Sequence, residues 1–207
     1  MRTYVYVDGF NLYYGALKGT PHKWLDLDRL CYLLLPRHQI LKIKYFTALI
    51  WPLPDDPGKP TRQQIYLRAL RTLPNLEIYL GRFLSHPRAM PRADGDPSQP
   101  EYVRVIRTEE KGSDVNLATH LVSDGYEGLY EVAVVISNDS DLVEPIKIVR
   151  QRLDLRVGVL YPNKRPSHEL RQIASFVKPI RQRVLAASQF PDILTDAHGT
   201  FRKPAKW

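Results

Sequence analysis

The run Val132-Ala133-Val134-Val135-Ile136 constrains the fold more than any other segment, because it is apolar on both faces of any strand it forms. Such a strand has to be covered from above and below, as in a parallel sheet between two helical layers. It forms the centre of a strand candidate over Glu131–Ser137, and further candidates lie at Thr3–Val7, Leu41–Leu49, Glu77–Phe83 and Leu155–Leu160. Between them the apolar residues fall at helical spacing over Leu25–Leu35, Thr61–Leu73, Asp114–Ser123 and Asp141–Arg152. Leu117, Leu121 and Val122 share one helix face, as do Leu142, Ile146 and Val149. Strands alternating with helices predict a three-layer α/β/α fold with a central, mostly parallel sheet.

Two stretches break this rhythm. From His86 to Pro100 there are four prolines (Pro87, Pro91, Pro97 and Pro100) and an Asp-Gly-Asp turn, which predict a long loop insertion. Beyond Phe190 the chain turns polar, so residues 1–185 are expected to form the domain and 186–207 a loosely held tail. At 207 residues with 43% apolar content, the chain has material for one domain with a real core.

Several chemistries are excluded by inventory. A single cysteine, Cys31 in an apolar setting, rules out an intrachain disulfide, a cysteine zinc site and an iron–sulfur cluster, and is expected in the core. No apolar run approaches the ~18 residues of a membrane span, and no signal-peptide pattern opens the chain, so a cytoplasmic location is expected. A Gly-x-Gly-x-x-Gly turn is missing, and Gly58-Lys59-Pro60 lacks the upstream glycine of a phosphate loop. With 30 Lys and Arg against 22 Asp and Glu, the formal charge of +8 makes a polyanion the first partner to consider.

Against that basic background, the positions of a few acids are informative. Asp8 ends the first strand, Asp139 and Asp141 follow the end of another, and Asp114 opens a helix. In an open parallel sheet, ligands bind at the carboxyl ends of the strands, where acids distant in sequence can meet. Each has a local reading too: Asp8 in a turn before Gly9, and Asp114, Asp139 or Asp141 as helix caps. Gathered together, carboxylates repel one another unless a hard cation such as Mg²⁺ or Mn²⁺ sits among them. A metal so held can polarise a phosphodiester and acidify an attacking water.

Three blocks, Val7-Asp8-Gly9-Phe10-Asn11, Lys111-Gly112-Ser113-Asp114-Val115 and Ser137-Asn138-Asp139-Ser140-Asp141-Leu142, resemble the NYN-domain family, the LabA-like branch of the PIN-like nucleases, in order and spacing. The resemblance spans roughly Thr3 to Arg181. It implies a Rossmann-like PIN-type fold and a metal-dependent ribonuclease using Mg²⁺ or Mn²⁺. It assigns Asp8, Asp114, Asp139 and Asp141 to the metal, and Asn11 to the catalytic set beside them. Asn116, Ser137, His120 and Lys111 become candidates for supporting or substrate-binding roles. Many relatives carry an aspartate where this chain has His120, a weaker substitute for a carboxylate at neutral pH. That departure favours the alternative of a weakly active or inactive RNA-binding, regulatory module. RNA is the implied partner, and self-association, an antitoxin or an RNA-processing partner are compatible with the resemblance.

Basic residues are candidates for phosphate contact in groups: Arg62, Arg68 and Arg71 on one helix, Arg82, Arg88, Arg92, Arg104 and Arg107 around the proline-rich stretch, and Lys164 and Arg165 past a strand end. Among the 12 tyrosines, Tyr13, Tyr14 and Tyr161 lie near strand ends, where rings can pack in the core or stack on bases. Ser167 is expected to cap a helix, and His168 to lie on the surface.

Overall fold

A computed structural model describes residues 1–52, 54–94 and 101–206. The chain runs β1 (Arg2–Asp8), α1 (Gly9–Leu12, continued by a π-helical stretch Tyr13–Leu17), α2 (Leu27–Leu34), β2 (Gln39–Ala48), α3 (Lys59–Leu70), β3 (Leu76–Pro91), β4 (Tyr102–Lys111), α4 (Ser113–Tyr126) and β5 (Val132–Ile136). A 3-10 turn (Ser140–Leu142) then leads into α5 (Val143–Lys147) and a π-helical stretch (Ile148–Arg152). There follow β6 (Arg156–Tyr161), α6 (His168–Ile173), β7 (Phe176–Pro179), α7 (Gln182–Ala187), β8 (Ile193–Asp196) and β9 (Gly199–Arg202).

Seven strands form the central sheet in the order β4-β3-β2-β1-β5-β6-β7. All neighbouring pairs are parallel except β3–β4. With antiparallel β4 set aside, the remaining order is that of the doubly wound nucleotide-binding folds, and the order reverses between β1 and β5. The fold is therefore the Rossmann-like α/β/α arrangement that the strand–helix alternation predicts.

Two cores flank the sheet. Val132, Val134 and Ile136 of β5 join Val5, Val7, Ile43 and Tyr45 under α2, α3 and α7. Ala133 and Val135, from the same strand, join Tyr6, Phe46, Val157 and Val159 under α4, α5 and α6. The doubly apolar run thus serves both layers, each side chain alternating with the pleat. Cys31 is fully buried in the first core, and burial pushes its thiol far up, as an inert core thiol requires. The expected helix over Asp141–Arg152 forms in three pieces, because Pro145 supplies no backbone donor within it.

Both interruptions read as irregular hold regular structure among their described residues. The expected loop over 86–100 is strand as far as Pro91, and β4 pairs with it from Pro91↔Tyr102 to Arg82↔Lys111; residues 95–100 lie outside the described residues. Pro87 and Pro91 are tolerated there because β2 pairs with β3 only as far as Gly81. Beyond that point the strand has one partner, and a missing donor can face solvent. The tail expected to be loose over 186–207 is also tied down. Leu185 and Phe190 are buried, and Leu194 and Phe201 of the β8–β9 hairpin pack on the first core. The Arg68 guanidinium grips Asp196 through two bonds of 2.7 Å, and the Trp24 indole N–H donates to the Pro191 carbonyl at 2.8 Å. Among the described residues, no helix is long and apolar enough to cross a membrane.

Candidate functional site

At the reversal between β1 and β5, two strand ends are stitched together by polar side chains. Asp8 closes β1 and is 4% exposed. One of its carboxylate oxygens caps α1 by accepting from the Asn11 N–H at 2.9 Å, and the other accepts from the Ser137 hydroxyl at 2.9 Å. The Ser137 oxygen in turn accepts from the Asp139 N–H at 3.1 Å. The Asn11 side-chain carbonyl accepts from the Asn138 N–H at 2.9 Å. Asn138 extends the lattice to the segment before α6, accepting from the Ser167 N–H at 2.6 Å and donating to the Arg165 carbonyl at 3.1 Å.

Gly9 permits the tight exit from β1. A Cβ there would lie 2.7 Å from the Tyr45 ring and 2.8 Å from the Phe46 carbonyl oxygen. Gly112, at φ +102°, turns the chain from β4 into α4 in the left-handed region that suits glycine. That turn places Asp114 in the first turn of α4, exposed beside the strand ends.

The carboxylates sense one another. Burial first, then the charges of Asp114 and Asp139, push the Asp8 carboxyl up to about 6, against the downward pull of its bonds to Asn11 and Ser137. Asp114 is also raised, first by burial and then by Asp139, Glu110 and Asp141. Asp8, Asp114, Asp139 and Asp141 therefore share one electrostatic field, although they come from three distant segments. The local roles hold as well: Asp8 caps α1, and Asp139 accepts from the Asp141 N–H at 3.0 Å.

The supporting candidates divide. Asn11 and Ser137 hold the site directly, while Lys111 is paired with Glu109 at 2.9 Å. Asn116 is half-buried on α4, and among the described residues its side chain makes no hydrogen bond to the aspartates. His120, expected with the aspartates, stands apart from them. Its ring packs on Tyr79 at 4.2 Å and Phe46 at 5.8 Å, and its Nδ1 lies 3.2 Å from the Lys44 ammonium. The physical reason is helix phase: six residues beyond Asp114 is about 9 Å along the axis and roughly 240° around it. Burial, then the charge of Lys44, lowers the His120 pKa and keeps the ring neutral.

Glu110 is a site-edge acid that the motif reading passes over. It accepts from both the N–H (3.1 Å) and the hydroxyl (2.8 Å) of Ser113 at the start of α4. No capping-box signal marks it in the sequence, since that pattern puts the serine first and the acid three residues later.

The chemistry of the donor set matches a hard cation such as Mg²⁺ or Mn²⁺. It is all oxygen, and its members raise one another's proton affinity, a strain that a hard cation relieves. Among the described residues, no three His, Cys, Asp or Glu side chains stand close enough to hold one ion directly. An ion among them would have to keep water in part of its shell.

Beside Asp8 a cavity of about 260 Å³ opens between α1 with its extension, the end of β2, and α3. Phe10, Tyr13, Tyr45 and Tyr66 line it, together with Arg62 and Lys59.

Compared with curated proteins, the chain is 31% identical over 236 residues to the 6-hydroxy-3-succinoylpyridine 3-monooxygenase HspA of Pseudomonas putida (strain DSM 28022 / S16), covering 100% of this chain and 75% of that one. Among solved structures it is similar to a protein of unknown function from Vibrio parahaemolyticus RIMD 2210633, with a TM-score of 0.58 and 17% identity over 87% of this chain and 93% of the other. At that identity the likeness speaks for the fold alone. The NYN domain model matches residues 2–181, from the first strand through the end of the central sheet. That span takes in every aspartate of the cluster, and the chain belongs to the NYN-domain family.

Proposed function

We propose that this chain is a LabA-like ribonuclease that hydrolyses RNA phosphodiester bonds with Mg²⁺ or Mn²⁺ in the cytoplasm. The observation that carries the reading is the joining of Asp8 to the Asp139 backbone through Ser137 at the strand-order reversal, with Asp114 opening α4, where an open α/β sheet binds its ligands. Asp8, Asp114 and Asp139 would face a cation held partly through its own waters, with Asp141 at its outer edge. The bound ion would neutralise phosphate charge and acidify water. The chain's own contribution is positioning. Asn11 and Ser137 fix both oxygens of Asp8, and Asn138 anchors the segment carrying Arg165, an exposed cation suited to the RNA backbone.

The test is cleavage of mixed RNA with Mn²⁺ by the wild type, Asp8→Asn and Asp139→Asn. Cleavage by the wild type that falls at least about 100-fold in both variants and stops in EDTA is expected, within the range set by loss of electrostatic stabilisation. Equal activity in all three proteins, or in EDTA, rejects the mechanism. Salt-sensitive RNA binding without turnover in any divalent metal would select the inactive, regulatory alternative.

A second reading is favoured by the aromatic cavity beside Asp8 and by the Pseudomonas relative, whose name assigns that protein a monooxygenase reaction on a substituted pyridine. In this reading the substrate is a small heteroaromatic acid. Oxygen uptake dependent on 6-hydroxy-3-succinoylpyridine and a two-electron donor, with RNA left intact, would establish it over the first.

A further inference from the structure

We propose that the cavity between the α1 extension, β2 and α3 is a binding site for a free, single-ring aromatic acid, held by ring stacking with its anionic group at the cationic rim. Size sets the first limit. An apolar cavity of roughly 150 Å³ accommodates benzene, so about 260 Å³ leaves room for one ring and a short substituent.

The walls set the second limit. The Tyr66 hydroxyl donates to the Leu25 carbonyl at 2.9 Å, and the Tyr45 hydroxyl is engaged with Thr47. Both phenol groups are thus used within the protein, and these side chains offer the cavity ring surface. Tyr13 and Tyr14 meet edge to face at 5.2 Å and continue the aromatic lining toward the mouth, where Tyr14 is 58% exposed. Aromatic pairs gain free energy beyond area burial, so a flat ring is favoured over an aliphatic chain of equal volume.

Charge sets the third. Four cations line the site, Lys23, Lys59, Arg62 and Lys206, against one carboxylate, Asp56, which pairs with Arg62. The surplus is positive, so the ring should carry an anion. The cavity lies next to the aspartate cluster: Gly9, which follows Asp8, and Tyr45 line it, and Tyr45 feels the charge of Asp8. This assignment rests on the second reading above and not on hydrolysis of RNA; an acid that binds without being oxidised leaves the site standing while that reading's reaction fails.

Isothermal titration calorimetry with the full chain tests it, using 4-hydroxybenzoate and 6-hydroxynicotinate as probes, 4-hydroxybenzamide as the uncharged control, and AMP as the nucleotide arm. At least one acid should bind, and the amide should bind about tenfold more weakly, the loss of one charge-assisted contact. Lys59→Gln should weaken the acid and leave the amide unchanged. Tyr14→Ala, at the exposed mouth and so tolerated by the fold, should weaken both. No binding of either acid at millimolar concentration overturns the proposal, as does an amide that binds equally well. AMP binding that is sensitive to Tyr14→Ala, with neither acid bound, also overturns it and transfers the site to nucleic acid. Thermal melts of both variants, matched to the wild type, ensure that a loss reflects the site.

Discussion

Replacing Asp8 by Asn should stabilise the protein above pH 6 while removing the metal-dependent RNA cleavage proposed above. The Asp8 carboxyl is held at about 6 against an ordinary 3.8, chiefly by burial and secondarily by Asp114 and Asp139. Below pH 3.8 the carboxyl is protonated both folded and unfolded, and it contributes no pH dependence. Between 3.8 and 6 the folded state holds a proton that the unfolded state has released, so stability falls as pH rises. Above 6 both forms are ionised, and the folded state bears the whole penalty. An interval of about 2 on the pH scale, at about 1.4 kcal/mol each, comes to about 3 kcal/mol. For a chain of this size each kcal/mol moves the melting temperature by ~2–4 °C, giving roughly 6–12 °C in all. Asparagine escapes the penalty, and its amide oxygen can still cap α1 by accepting from Asn11. The assay is differential scanning calorimetry of both proteins from pH 4 to 7.5 in EDTA. Expected is a gap between Asp8→Asn and wild type that widens across pH 4 to 6 and then levels off. Mn²⁺ at pH 7 should raise the wild type more than the variant. A gap that stays constant with pH would refute the reasoning, since it would mean that Asp8 is solvated and its neighbours do not sense it.

On the α4 side of the sheet, Lys44 pairs with Asp124 at 2.6 Å, both side chains are 7% exposed, and the Tyr6 hydroxyl donates to the same oxygen at 2.7 Å. Asp124→Asn keeps an acceptor for Tyr6 but leaves a buried ammonium without its anion, which should cost about 3–5 kcal/mol; Lys44→Met in the same chain should restore much of it in urea unfolding. Gly9→Ala should lose about 1–3 kcal/mol, because the added methyl meets the Tyr45 ring and the Phe46 carbonyl, and chemical denaturation will measure it. His120→Ala should lower the melting temperature without altering the Mn²⁺ dependence of RNA cleavage, since its contacts are Tyr79, Phe46 and Lys44. Truncation after residue 190 should destabilise the domain by uncovering the surface under Leu194 and Phe201, which a melt of the shortened chain will report.

The β5 run was legible because burial on both faces leaves a local record: every position has to be apolar. The aspartates were legible for a related reason, since each follows a strand or opens a helix, and the end of an element is visible in sequence. The β3–β4 hairpin was not. Beyond Gly81 it is paired only with itself and is largely exposed, so its strands carry charges and prolines in place of a buried pattern. The β8–β9 hairpin was hidden likewise, because its order comes from Arg68 and the first core, more than a hundred residues away.

The sequence by itself determined the layered architecture and the identity of the acids, because periodic burial and element ends are properties of neighbouring residues. Tertiary structure alone decided that Asp8 is pushed toward neutrality, that His120 belongs to the buried Lys44 cluster, and that rings from residues 10–14, 45 and 66 enclose one cavity. Those outcomes depend on strand order and helix phase, which bring distant side chains within reach of one another's charge and surface, and no local pattern encodes that distance.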